Sequence, residues 1–333
     1  VTFAKVPART GYVNQGWSSK KNSEKATAKA KCTVNKNITL YAVQKKAVQL
    51  TFHRCDGSTW QKTTLAKGSS YSLPGVRDAE GYTFMGWSTK PMQSVSPQYE
   101  AEEKITVNGN VDLYAVVFNR TTETDLTEDQ LPQVDIYKYK QVIFVGDSRT
   151  EFMENVLTGM GESATKNVKF VCSAGKGLDW FTTTGWAQLY SIVQHDSNSI
   201  LSKKTAVIFN FGVNDLSKSA DYAEYYNWIA PQLKSKGCEL YFMSVNPVNR
   251  LMLPNAGRAD RSEAAVRSFN QYMKANLSSA YTYIDMYSYL KSTGYSFASD
   301  HYGTGTVDDG LHYTTRTYKR IFAKCMDSLR VPA

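Results

Sequence analysis

The sequence predicts an α/β domain with a parallel sheet, preceded by small β-rich modules. Three observations lead to this prediction: an internal repeat over residues 1–118, a polar segment at 119–139, and an alternation of strand-like and helix-like runs from residue 140 onward. Of the 333 residues, 42% are hydrophobic and 13% aromatic, which suits a globular protein of two or three domains. No window approaches eighteen apolar residues, so no membrane span is predicted.

The repeat is visible as two matching stretches, residues 11–18 (GYVNQGWS) and 81–88 (GYTFMGWS). Each is followed by a polar segment and then by a Leu-Tyr-Ala-Val run, at 40–43 and at 113–116. A pattern of this length that recurs in order predicts two copies of one module.

The two copies resemble the internalin B-type repeats of bacterial surface proteins, through GYxFxGW and the closing LYAV. We place a partial copy at 1–46, which lacks the segment before its Val-Pro and is expected to be truncated, and a complete copy at 47–118. The resemblance implies β-grasp-like modules and an extracellular or bacterial cell-surface setting. Trp17 and Trp87 are candidates for a sugar-binding platform, but their fixed place in the repeat favours a core position.

Charge is unevenly distributed along the chain. Residues 1–46 contain ten Lys or Arg and one acidic residue, which accounts for the whole net charge of +9. We favour a solvated basic face over a nucleic-acid patch, so no nucleic-acid partner is predicted. Contact between this basic repeat and an anionic cell-wall polymer stays open.

The five cysteines are widely spaced and form no CxxC pair, which argues against structural zinc and against a disulfide scaffold. Cys172 and Cys238 lie in strand-like runs and are expected in the core. The sequence leaves open whether Cys32 and Cys55 form a disulfide bond.

Residues 119–139 are rich in Thr and acidic residues and contain Pro132, which predicts a linker. The domain at 140–333 then has strand-like runs at 142–145, 168–172, 206–211, 240–245 and 281–284. Helix-like runs are clearest at 222–235, 262–276 and 315–329. Such alternation predicts a parallel sheet covered by helices, with ligands bound beyond the carboxyl ends of the strands.

Polar groups suited to acyl chemistry follow three of these strands: Ser148 after Gly-Asp, Gly175 and Gly177 in one loop, and Asn214. Asp309 and His312 come just before the last helix. Ser148 by itself is ambiguous, since a Gly-Asp-Ser turn can simply cap a helix. The set as a whole supplies what a serine nucleophile needs, namely a base, an acid to orient that base, and donors for an oxyanion.

These segments resemble the four blocks of the SGNH (GDSL-type) hydrolase family, in family order across residues 141–331. The resemblance implies a flavodoxin-like three-layer sandwich and ester hydrolysis through an acyl-serine intermediate. No cofactor is expected, and Asp308 and Asp309 with His301 are too loosely placed to predict a metal site. Carried over, Ser148 is the nucleophile, His312 the base and Asp309 its orienter.

The expected oxyanion donors are the Ser148 N–H, the Asn214 amide and one glycine N–H, from Gly177 or Gly175. We favour Gly177, because the family glycine lies late in its loop. Arg149 departs from the family pattern, and we expect it either to bind an anionic or sugar-rich substrate or, by preference, to pair with Asp215. Further candidates for substrate contact are Trp180, which also suits the core, His301, Tyr302 and Asn246.

The sequence therefore predicts a secreted or surface serine esterase that removes O-acyl groups, with O-acetyl groups on a glycan as the expected substrate. Two alternatives stay open. One is an O-acyltransferase that uses the same serine on a wall sugar, and the other is an adhesin in which the hydrolase fold serves as scaffold.

Overall fold

The computed structural model describes residues 1–28, 33, 35–194, 203–253, 261–298 and 309–330. Its strands are β1 (Tyr12–Ser18), β2 (Tyr41–His53), β3 (Thr59–Ala66), β4 (Ser69–Ser72), β5 (Tyr82–Ser88), β6 (Lys104–Val107), β7 (Val111–Asn119), β8 (Tyr139–Gly146), β9 (Val168–Cys172), β10 (Lys204–Asn210), β11 (Cys238–Met243) and β12 (Tyr281–Ile284). Its helices are α1 (Ser148–Met160), α2 (Glu162–Thr165), α3 (Leu178–Trp180), α4 (Trp186–Gln194), α5 (Ser219–Ser235), α6 (Glu263–Asn276), α7 (Met286–Thr293) and α8 (Thr315–Ser328).

The two repeat copies form one continuous β-sheet. Its strand order is β1-β2-β7-β5, and β3 also pairs with β2. Strand β2 has 13 residues and belongs to both copies, because its first half pairs with β1 and its second half with β3 and β7. The copy boundary predicted at 46/47 therefore falls inside a strand.

The glycine of the repeated Gly-Trp is required by a bulge in both copies. Gly16 and Gly86 have φ of 123° and 140°, and the strand register shifts at each of them. A Cβ on Gly86 would collide with Tyr99 O and Pro97. The bulge leaves Trp87 fully buried against Phe52, so the sugar-platform interpretation is wrong for this tryptophan.

The second sheet is parallel, in the order β12-β11-β10-β8-β9. Numbered within this domain, the strands run 2-1-3-4-5, an order found in doubly wound α/β sheets. The predicted parallel sheet with helices is thus confirmed, and β9 and β12 have the bounds that the sequence predicts.

Alternate residues of the central strands enter two separate cores. Phe209 packs with Tyr226 of α5 in one core, whereas Phe144 packs with Phe322 of α8 in the other. Helices therefore cover both faces of the sheet. Of the helices that the structure describes, none is long and apolar enough to cross a lipid bilayer.

The predicted linker 119–139 lies against the α/β domain. Glu123 is 5% exposed and accepts hydrogen bonds from Ser296 and from Arg320, the latter at 3.0 Å. Leu131 and Val134 are buried in the core on the α8 side of the sheet. The segment is thus packed at both ends.

Candidate active site

Ser148 lies where β8 passes into α1. A Cβ on Gly146 would collide with Thr150 and with Asn210 O, so only glycine fits at this crossing point. Asp147 caps α1 by accepting a hydrogen bond from Arg149 N at 3.0 Å, and Ser148 is the first helical residue. The interpretation of Ser148 as the helix cap is therefore wrong, because Asp147 has that role.

Ser148, His312 and Asp309 form a continuous hydrogen-bonded chain. His312 Nε2 lies 2.9 Å from Ser148 Oγ, and His312 Nδ1 lies 2.6 Å from Asp309 Oδ2. The three residues are 5%, 0% and 1% exposed. The ring of Phe152 meets the imidazole edge to face at 4.5 Å between centroids and helps to fix its orientation. The imidazole of His312 thus lies between the Ser148 hydroxyl and the Asp309 carboxylate.

Asp309 is held as a carboxylate. Burial raises its pKa, but the hydrogen bond and charge of His312 and the backbone N–H groups of Leu311 and His312 outweigh burial and leave the pKa below its ordinary 3.8. These two N–H groups donate to Oδ1 at 2.8 and 2.7 Å, so Oδ2 remains for the imidazole. At neutral pH the acid is therefore ionised and correctly placed to orient a base.

Asn214 has a defined amide orientation, set by a residue that sequence reasoning missed. Its Oδ1 accepts a hydrogen bond from Arg261 Nη2 at 2.6 Å, and its Nδ2 donates to Lys176 O at 2.8 Å. Because Nδ2 carries two hydrogens, one remains for an oxyanion. The sequence offered no signal for Arg261, which lies two residues before the first residue of α6.

Asp215 fastens the glycine loop to the sheet edge. Its Oδ2 accepts a hydrogen bond from Leu178 N at 2.9 Å, and its Oδ1 accepts one from Tyr222 OH at 2.7 Å. A Cβ on Gly177 would collide with this carboxylate, so Gly177 lies directly against the Asn214–Asp215 segment. Gly175 has no atom near its Cβ position, and its positive φ of 69° is what the turn of this loop requires.

Arg149 differs from both predictions made for it. The side chain is 2% exposed, and its guanidinium is occupied by backbone carbonyls and does not pair with Asp215. It donates to Leu311 O at 3.0 Å, Asn246 O at 2.9 Å and Pro247 O at 2.9 Å. Arg149 thus joins the helix of Ser148 to the loop of His312 and to the loop after β11.

The remaining predicted substrate residues fall into two groups. Trp180 is half-buried and packs on Phe211 in the core, and Asn246 is 1% exposed. His301 and Tyr302 lie outside the described residues, as does Cys32. Among the cysteines that the structure describes, Cys238 is buried as predicted and Cys172 is half-buried.

Comparison with protein families agrees with this geometry. The model of the GDSL-like lipase/acylhydrolase family matches residues 142–325. The chain belongs to this family. A second model, the Listeria-Bacteroides repeat domain, matches residues 1–43 and 49–116. The GDSL-like hydrolase domain is thus preceded by Listeria-Bacteroides repeats, and its family membership is consistent with an esterase.

Solved structures of similar fold include an acetyl xylan esterase, at 12% identity and a TM-score of 0.38, with 57% of this chain and 99% of that chain covered. The catalytic domain of a Streptococcus pneumoniae peptidoglycan O-acetyltransferase is similar at 15% identity and a TM-score of 0.36, with 58% of this chain and 94% of that domain covered. Nothing about the reaction of this GDSL-like hydrolase follows from these two likenesses. Among curated proteins, none matches the chain.

Proposed function

We propose that this GDSL-like hydrolase is a serine esterase that removes O-acyl groups, O-acetyl above all, through an acyl-serine intermediate. The observation that carries the proposal is the hydrogen-bonded chain from Ser148 Oγ through His312 to Asp309. A serine hydroxyl becomes a nucleophile when a base within hydrogen-bond reach takes its proton, and this base is in turn oriented by a carboxylate.

In the first half of the reaction, Ser148 Oγ forms a bond to the acyl carbon while its proton passes to His312 Nε2. The carbonyl oxygen becomes an oxyanion, for which the donors are the Ser148 N–H, the Gly177 N–H and Asn214 Nδ2. The N–H of the first residue of a helix has no partner within that helix, which leaves the Ser148 N–H to a ligand. The intermediate collapses, the alcohol leaves with the proton from His312, and the serine holds the acyl group.

In the second half, a water loses its proton to His312 and attacks the acyl-serine. The tetrahedral intermediate collapses to release the carboxylic acid, and Ser148 regains its proton. Asp309 keeps its negative charge throughout and stabilises the imidazolium that forms twice per cycle.

We further propose an extracellular or bacterial cell-surface location with an acylated glycan as substrate. The support is the repeat region, which resembles internalin B-type repeats, and the excess of basic residues in its first copy, which would attract an anionic wall polymer. Acyl transfer to a wall sugar would use the same Ser148 and differ only in the acceptor.

The test compares the 333-residue chain with its Ser148→Ala variant in the hydrolysis of an aryl acetate. A matched control is Ser292→Ala, which removes a serine hydroxyl from α7, bonded to Tyr289 O. We expect Ser148→Ala to lose at least about 10³-fold in kcat, and Ser292→Ala to keep it. Equal rates for the wild type and Ser148→Ala would refute the esterase proposal.

A panel of acetylated polysaccharides then defines the substrate class. Release of acetate into water supports hydrolysis, whereas appearance of the acetyl group on an added oligosaccharide supports transfer. Release from no polysaccharide, with the aryl acetate still hydrolysed, would refute the glycan part of the proposal alone.

A further inference from the structure

The complete repeat copy lies against the loop that follows β11, next to the active site. Asn249 in this loop donates through Nδ2 to Val76 O at 3.1 Å and to Asp78 Oδ1 at 2.8 Å, both in the repeat. Its Oδ1 accepts from Leu251 N at 3.1 Å. The Asn249 side chain is therefore fixed by the repeat on one side and by its own loop on the other.

The backbone of Asn249 touches the loop that carries the catalytic acid and base. Asn249 N donates to Gly310 O at 2.8 Å. Gly310, between Asp309 and Leu311, has φ of 67°, and a Cβ there would collide with Asn249 O. Asn249 and Gly310 are thus in direct backbone contact, and a shift of one displaces the other.

Asp78 is a firm anchor for this contact. Its side chain is fully buried, and its Oδ2 accepts from Arg120 Nη2 at 2.8 Å. Its Oδ1 also accepts from Phe84 N at 3.0 Å. A buried carboxylate with this many donors has one position available to it, so it fixes the Asn249 amide in place.

A second route from the repeat reaches the same loop. The buried Lys291 on α7 donates through Nζ to Met85 O at 2.8 Å and forms ion pairs with Glu100 at 2.9 Å and Glu263 at 2.8 Å. Glu263 in turn accepts from Val248 N at 3.1 Å. Val248 precedes Asn249, so these bonds reach the loop independently of the Asn249 side chain.

We propose that the complete repeat is part of the catalytic unit, and that Asn249 is a positioning residue through which it holds the Asp309–His312 loop in reactive geometry. The repeat then does more than present the enzyme at a surface. The inference rests on the proposed function for its kinetic readout, but its structural readout is independent of activity.

The test uses the 333-residue chain with Asn249→Ala and the neighbouring control Arg250→Ala. Arg250 pairs with Glu102 of the repeat at 3.0 Å, so the control also removes a bond between the repeat and the α/β domain, but one that does not involve Gly310. We expect Asn249→Ala to lower kcat for an aryl acetate by about 10- to 100-fold, with KM nearly unchanged and the acidic limb of the kcat pH profile displaced. Arg250→Ala should stay within about two-fold of the wild type.

A donor–acceptor exchange distinguishes positioning from general loosening. Asn249→Asp alone sets two carboxylates against each other, and we expect a loss of kcat at least as large as with alanine. Adding Asp78→Asn restores a donor and an acceptor across the contact and should recover part of the loss. No recovery, with both variants folded, would count against the direct Asp78–Asn249 contact.

Hydrogen exchange supplies the readout that needs no activity. The Leu311 and His312 amides both donate to Asp309 Oδ1, so they report on this loop. We expect faster exchange at both in Asn249→Ala and not in Arg250→Ala. Unchanged exchange together with unchanged kcat would overturn the inference while leaving the esterase proposal intact. A wild type no faster than Ser148→Ala would overturn the esterase proposal. The hydrogen-exchange result alone would then decide whether Asn249 positions the Asp309–His312 loop.

Discussion

Replacing Asp147 by asparagine should stabilise the protein at neutral and alkaline pH. Asp147 is 1% exposed at the turn before Ser148. Burial raises its pKa from 3.8 to about 6, although the charge and the N–H of Arg149 oppose this shift. Asparagine keeps the oxygen that caps α1 and resembles the protonated acid.

The magnitude follows from linkage between proton binding and folding. The folded protein holds the proton of Asp147 more tightly than the unfolded chain, so its stabilising effect is complete below about pH 4 and is lost as the pH rises through about 6. Each pKa unit corresponds to about 1.4 kcal/mol, so the charged carboxylate costs about 3 kcal/mol at pH 8 and about half of that at pH 5. A neutral asparagine side chain avoids this cost at both pH values.

The assay is urea unfolding of the wild type and Asp147→Asn at pH 5 and pH 8. We expect the variant to be the more stable, by about 3 kcal/mol at pH 8 and by about 1.5 kcal/mol at pH 5. Asp327→Asn, which changes a carboxylate 58% exposed on α8, is the control and should show a difference near zero. If the difference in free energy of unfolding between Asp147→Asn and the wild type is no larger at pH 8 than at pH 5, the reasoning is refuted.

Three other substitutions test separate parts of the site. Asn214→Ala should lower kcat for an aryl acetate by about 10²- to 10³-fold with little change in unfolding, because the proposed oxyanion donor is lost; equal kcat would exclude that role. Arg149→Met removes a donor from three buried carbonyl oxygens, of which Pro247 O keeps a second donor in Tyr313 OH, and should lower the free energy of unfolding by about 2–3 kcal/mol, whereas Arg149→Lys should recover a part. Gly310→Ala forces an L residue into the left-handed region and should cost at least about 1–2 kcal/mol in urea unfolding; a neutral result would contradict the positive φ.

The hydrolase sheet was readable from the sequence because its strands are short, apolar and separated by helical runs. For the same reason β9 and β12 have the predicted bounds. The full length of strand β2 could not be predicted from the sequence, because Gln44, Lys45 and Lys46 form a polar stretch within it. Their place in a strand is decided by pairing with β1, which only the folded chain shows.

The hydrogen-bonded set of Ser148, His312 and Asp309 could be predicted because each member belongs to a recognisable turn near the end of a strand or the start of a helix. The residues that hold this set in place could not be predicted. Arg261 and Asn249 lie in polar loops whose pattern says nothing about which distant atom they meet. Arg149 was noticed as unusual, but its three carbonyl partners come from two other loops and leave no trace in the local sequence.

The single strand shared by the two repeat copies has a mechanical consequence. Because β2 runs through both copies without a break, they cannot swivel about a hinge unless hydrogen bonds on either side of Lys46 are broken. We therefore expect the two copies to move as one rigid body, so that a force applied to the first copy is carried through β2 to the second.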